Sequence, residues 1–181
     1  MYSLRGKRIL RGAVLINLLL CSHSAISANL GRGEVTMNGN IIASACAIDT
    51  KSVDQTVALA LVPISQVIRD GQGELHEFSI KLVNCTLERL DPQLDDWRYF
   101  EVTFDGRDDA GLFGIDGNAK GMALQISDRW GNVAAPGVPM AKNDIRPGTM
   151  EFKYGLRLVG NNQLMEVGSY HSTVRFKMDY Y

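Results

Sequence analysis

The last residues constrain the fold more than any other part of the chain. From Gly168 the sequence reads GSYHSTVRFKMDYY and stops at Tyr181. Val174, Phe176, Met178 and Tyr180 alternate with Thr173, Arg175, Lys177 and Asp179. A period of two marks a strand with one buried face. Chain ends are usually polar and frayed, whereas this one stops inside an expected core strand. Such a strand has no hairpin partner after it. It must pair with an earlier strand or take a neighbour from another protein.

The opposite end reads as a targeting segment. Arg5, Lys7, Arg8 and Arg11 form a basic start, followed by the apolar run Ala13 to Cys21 and the small residues of SHSAISA. That run is too short to span a bilayer and fits a signal peptide over residues 1–27. Cleavage after Ser27 places Ala25 and Ser27 at the usual small-residue positions, and cleavage after Ala25 or Ala28 stays open. Export implies an oxidising compartment. Four of the 19 Lys and Arg lie in the basic start, and all 20 Asp and Glu lie from Glu34 onward, so the exported part carries a net charge of −5. That balance argues against binding a nucleic-acid backbone, which calls for a basic patch.

Of the three cysteines, Cys21 falls in the targeting segment. Its rival reading, a lipid-anchor cysteine, is opposed by the large Leu20 just before it. Cys46 and Cys85 remain, an even pair in an exported domain and an expected disulfide. Their wide separation, with no CxxC spacing, disfavours a redox or metal pair.

Between these landmarks the chain reads as successive short strands. Expected strands carry the faces Val35–Met37–Gly39–Ile41, Val57–Leu59–Leu61, His76–Phe78–Ile80–Leu82 and Phe100–Val102–Phe104. Met122–Leu124–Ile126 and Met150–Phe152–Tyr154–Leu156–Leu158 follow, then a short strand near Met165 and the last strand. Turn signals at Asp105-Gly106, Trp130-Gly131-Asn132 and Gly160-Asn161-Asn162 separate them, the pattern of an antiparallel sandwich. Pro63 to Asp70 has the makings of one short helix. Leu87 to Arg98 and Gly106 to Gly121 read as loops, the run from Gly114 to Gly121 as a hairpin or edge loop.

Catalytic chemistry is poorly supplied. The aspartates 105, 108 and 109 lack the spacing of a calcium loop, and the glycine-rich run from Gly114 to Gly121 lacks the ending of a phosphate cradle. Only His76 and His171 lie beyond the targeting segment, and no nucleophile–base motif is present. No enzyme, metal or cofactor is expected.

Five pieces in order resemble one family. GEVTMNGNIIASAC (33–46), FSIKLVNC (78–85), VTFDG (102–106), KGMALQISD (120–128) and the C-terminal strand are similar to the pilin subunits of chaperone–usher fimbriae. The later half is most similar to the terminator, or anchor, subunit of P pili. The resemblance implies an all-β fold, an incomplete immunoglobulin-like sandwich lacking its last strand, as a pilin domain over residues 35–181. It implies donor-strand complementation, in which a periplasmic chaperone and then a neighbouring subunit's extension fill the gap. On that basis Val174, Phe176, Met178 and Tyr180 meet the incoming strand, and the Tyr181 carboxylate meets basic residues of the chaperone. Residues 28–34 correspond to this chain's own donor extension, with Leu30, Gly31 and Gly33. That stretch is short for a donor and suits a minor subunit such as a terminator. The implied partners are a periplasmic pilus chaperone, an outer-membrane usher and neighbouring pilins, with no nucleic acid, on a route through the periplasm to the surface fimbrium. The alternatives are a major shaft pilin and, from another class, a carbohydrate-binding adhesin subunit.

Overall fold

The computed structural model describes residues 34–38, 43–59 and 61–181. The signal segment with its cleavage site, and the extension residues Leu30, Gly31 and Gly33, lie outside the described residues, as do Gly39 and Ile41. The chain divides into a unit ending at Asn40 and a unit from Ile41 to Tyr181. In the first, Val35 and Met37 are 89% and 90% exposed and belong to no strand, contrary to the expected alternation.

The second unit is a two-sheet sandwich. Its larger sheet contains β1 (Ala47–Ile48), β2 (His76–Cys85), β4 (Asp108–Asp109), β5 (Leu112–Gly114), β7 (Met122–Asp128) and β9 (Gly148–Gly160), in the order β1-β2-β9-β7-β5-β4. Every pairing in it is antiparallel. The smaller sheet has β3 (Tyr99–Asp105) at its centre, flanked by β8 (Asn143–Asp144) and β11 (Arg175–Tyr180). A two-stranded ribbon pairs β6 (Asp116–Gly117) with β10 (Tyr170–His171).

Alternation produces the core. Ile80 and Leu82 of β2 are fully buried, as are Phe100, Val102 and Phe104 of β3. The inward rings cross the gap between sheets: Phe104 lies 5.0 Å from Tyr154 and Phe100 lies 4.8 Å from Phe152, both edge to face. Such edge-on contacts add roughly 0.5–1.5 kcal/mol each beyond the area they bury. The alternation of β2 breaks at its end. Asn84 takes a positive φ of 54° in a bulge, which turns Cys85 inward instead. Cys85 there forms the expected disulfide with Cys46 across a Cα separation of 4.1 Å. Closing a loop of this length stabilises the fold by about 4 kcal/mol in the chain-entropy picture.

Two short helices interrupt the strands. In α1 (Thr50–Val53), the Asp49 carboxylate accepts from the Lys51 N–H, satisfying a donor the helix start leaves free. The expected helix after Pro63 is α2 (Ile64–Asp70), which buries Val67 and stops at Gly71 in the left-handed region.

Three expectations need correction. The stretch Gly106 to Gly121 is no loop. It holds β4, β5 and β6, with Ala110 and Gly111 at φ 56° and 85° forming a two-residue hairpin turn. The strand expected near Met165 is absent; only a bridge between Lys120 and Glu166 forms before β10. The alternation Val57–Leu59–Leu61 does not become a strand either. Among the described residues, 55–59 carry no secondary structure and belong to no sheet.

Candidate functional site

Antiparallel pairing decides which backbone groups of β11 are free. Tyr181 and Tyr99 exchange both hydrogen bonds, N–H of Tyr181 to the Tyr99 carbonyl at 2.9 Å and the reverse at 3.2 Å. Bonded pairs recur every second residue in an antiparallel ladder. The pairs Asp179↔Glu101, Lys177↔Thr103 and Arg175↔Asp105 are therefore of the bonded kind. It follows that the N–H groups of Phe176, Met178 and Tyr180 point away from β3. The same phase holds across the sheet. The carbonyls of Val102 and Phe104 turn outward from β11 and accept from Met140 and Gly137. Among the described residues, β11 has no neighbour on its second edge.

A groove of about 1010 Å³ opens beside that edge. One wall is the chain from Gly168 to Phe176. It is seated by Ser169, whose carbonyl accepts from Asn118 and Ala119, and by the Ser172 hydroxyl, which donates to the Gly114 carbonyl at 2.8 Å. Gly117 is required here: its φ is +118°, and a Cβ would collide with the Ser169 carbonyl. The opposite wall is the stretch from Ser52 to Val62. Two side chains tie it to the larger sheet. The buried Ser52 hydroxyl accepts from the Lys81 N–H at 3.0 Å, and the Gln55 amide donates to the Ser79 carbonyl at 2.9 Å. Between these ties and Pro63, the backbone of residues 55–59 makes no backbone hydrogen bond among the described residues. The floor is apolar: Phe78, Ile115, Leu124, Ile126 and Leu156.

Among the described residues, the groove therefore sets the unpaired edge of β11 and an irregular segment without backbone hydrogen bonds above an apolar floor. That combination fits a β-strand better than a small molecule, because a strand supplies donors and acceptors to both edges and apolar side chains to the floor. Among the described residues no three His, Cys, Asp or Glu side chains gather as metal ligands.

The residues expected to meet the strand are divided by the structure. Val174 and Phe176 lie on the groove wall. Met178 and Tyr180 share their inward face and pack on the core, but lie past the groove's end. Tyr180 reaches across, its hydroxyl donating to the Cys46 carbonyl at 3.5 Å. Burial raises the pKa of that hydroxyl. Tyr181 faces outward, stacked on Tyr99 at 5.5 Å with the Lys142 ammonium 4.0 Å from the Tyr99 ring. Sequence reasoning missed the opposite wall and most of the floor. The alternation of Val57, Leu59 and Leu61 is the available signal for the wall, but by itself it points to a strand. Leu61 is fully exposed.

No family model matches the chain. A PRS fimbrial minor pilin protein of Escherichia coli is 29% identical over 150 residues, which span 82% of this chain and 77% of that protein. The major MR/P fimbria protein of Proteus mirabilis is 28% identical over 170 residues, covering 91% and 93%. Among solved structures, a subunit of a chaperone–usher pilus superposes with a TM-score of 0.68 at 20% identity, over 87% of this chain and all of its own. The P pilus rod subunit PapA superposes at 0.65 with 18% identity, over 76% of this chain and all of its own.

Proposed function

We propose, because this chain belongs to the chaperone–usher pilin family as a structural pilus subunit and not an enzyme, that its groove is completed by a strand from another polypeptide. A periplasmic chaperone supplies that strand first, an outer-membrane usher receives the complex, and the extension of a neighbouring pilin then takes the strand's place at the cell surface. The observation that carries this reading is that β11, among the described residues, has no neighbour on its second edge, which borders an apolar groove floored by core side chains. An inserted strand gives partners to the N–H groups of Phe176, Met178 and Tyr180, and covers side chains that are now half-buried. Fully burying such a side chain contributes roughly 1 kcal/mol or more. An edge of this kind left open invites aggregation.

The position within the fibre is the finer part of the proposal. A minor subunit that terminates or anchors the fibre fits the short stretch ANLGRGE at residues 28–34, with Leu30 its one large apolar residue. Minor pilins are also among the similar proteins. A weak donor segment limits how well this subunit feeds the next. Leu30, Gly31 and Gly33 are the residues assigned to it.

Expression in a periplasm tests the first part. The chain alone should aggregate or be degraded, and co-expression with a pilus chaperone should yield a soluble one-to-one complex. A stable, soluble monomer without chaperone contradicts it. The terminator role is tested by adding a peptide that copies a shaft subunit's extension to the chaperone complex. Slow displacement supports that role, and rapid displacement removes it.

A further inference from the structure

The groove is apolar along its floor but charged on its rims. Of the described residues that line it, Asp54 on one wall and Arg175 on the other carry full charges at neutral pH, and both are exposed. Among the described residues neither closes an ion pair. The charges that follow on β11 balance each other, since the Lys177 ammonium lies 2.9 Å from the Asp179 carboxylate. Asp105 is the ladder partner of Arg175 on β3 but does not close on it. The two rim charges also stand at different places along the groove. Asp54 lies between Ser52 and Gln55, which are tied to Lys81 and Ser79 in the part of β2 that leads to the disulfide. Arg175 opens β11, directly after the wall from Gly168 and at the other end of the strand from Tyr180. Phe176 faces inward, 6.4 Å from Phe104, so Arg175 faces outward. A strand laid against β11 therefore passes its own outward side chains beside Arg175.

We infer that Asp54 and Arg175 select the incoming strand by the charge of its outward row, a basic side chain beside Asp54 and an acidic one beside Arg175. The inference rests on the strand-binding reading above, and it adds a rule that the apolar floor does not supply. The floor meets only the inward side chains of a strand; the rims meet the outward ones. Opposite charges side by side on neighbouring strands are favourable, and like charges are unfavourable. One exposed pair is weak. Two pairs of opposite sign act together, and a strand of the wrong pattern meets repulsion at both. Antiparallel pairing is the more stable per residue. A strand on that course passes the disulfide end first, so its outward row reads base, then acid, from its N-terminus.

The test is a set of strand peptides that share one apolar inward row and differ in the outward row: base then acid, acid then base, or uncharged. The exported chain is refolded by dilution with each peptide, and binding is measured by fluorescence anisotropy at low salt. The native chain should bind the base-then-acid peptide about fivefold more tightly than the acid-then-base peptide, the scale of two exposed charge pairs, with the uncharged peptide between them. The gap should close at about 1 M salt, where charges are screened beyond about 3 Å. Asp54→Lys combined with Arg175→Glu should reverse the order. Asp54→Asn combined with Arg175→Gln should erase it, and serves as the second variant should the reversed chain fail to fold. Equal binding of the two charged peptides by the native chain, a native preference for acid then base, or an order unchanged in the variants overturns the inference and leaves strand binding intact. Binding of no peptide in the set overturns the strand-binding reading itself, and this inference with it.

Discussion

β3 and β11 are neighbours in one sheet, paired without a break from Phe100↔Tyr180 to Asp105↔Arg175. Both alternate apolar and polar residues, and both turn aromatic rings inward. Their burial nevertheless differs. Phe100, Val102 and Phe104 are 0%, 1% and 2% exposed, whereas Phe176, Met178 and Tyr180 remain half-buried. Sequence pattern does not separate the two strands; position does. Among the described residues, β3 has a backbone neighbour on each edge, and β11 has one. An apolar side chain is buried by what stands beside its strand as well as by what faces it, so a missing neighbour leaves a whole row half-covered.

The largest expected effect sharpens the contrast at β3. Phe104→Ala removes a ring packed on Tyr154 and Phe78 and should cost about 3–5 kcal/mol in denaturant unfolding, whether or not a strand is bound. Replacing both Cys46 and Cys85 with Ser should cost about 4 kcal/mol. It frees the segment before β1, whose Cys46 carbonyl meets Tyr180 of β11, and should leave the packing of β3 unchanged. Equal loss of amide protection in both strands would break the comparison. Phe176→Ala should cost only about 1–2 kcal/mol in the chain alone, and more once a complementing strand covers the site. A loss matching that of Phe104→Ala without any added strand contradicts the account of β11.

The smallest effect is alkaline. Burial raises the hydroxyl pKa of Tyr180 and, with help from the Asp128 charge, that of Tyr154 above the usual 10.0. The folded state holds these protons longer than the unfolded chain does. Their contribution is therefore complete below pH 10 and fades as pH rises through the raised folded values. Thermal melts of Tyr180→Phe should show a shallower alkaline decline than the native chain. An unchanged decline denies Tyr180 its buried hydroxyl.

Much of this architecture was legible in the sequence. The faces of β2, β3, β7, β9 and β11 follow from alternation alone, because each is set by a period of two against one core. The disulfide followed from cysteine arithmetic. What escaped was set by contacts rather than by period. Val57, Leu59 and Leu61 alternate like a strand, but among the described residues no strand pairs with them to complete a ladder. Asn84 breaks the phase of β2 through a bulge that no pattern announces. The turn Ala110-Gly111 carries a positive φ at an alanine, where sequence rules look for asparagine or aspartate. The reach of Tyr180 to Cys46 joins residues 134 apart in sequence. The alternation of the last strand gives no sign of it.

Site-resolved hydrogen exchange on the freshly refolded chain, with and without a complementing strand peptide, reads the free edge directly. Without the peptide, the amides of Arg175, Lys177 and Asp179 should exchange slowly and those of Phe176, Met178 and Tyr180 quickly; with it, all six should be slow. Slow exchange at Phe176, Met178 and Tyr180 in the absence of any added strand would mean that this chain already covers its own edge, and that no second polypeptide is needed to complete it.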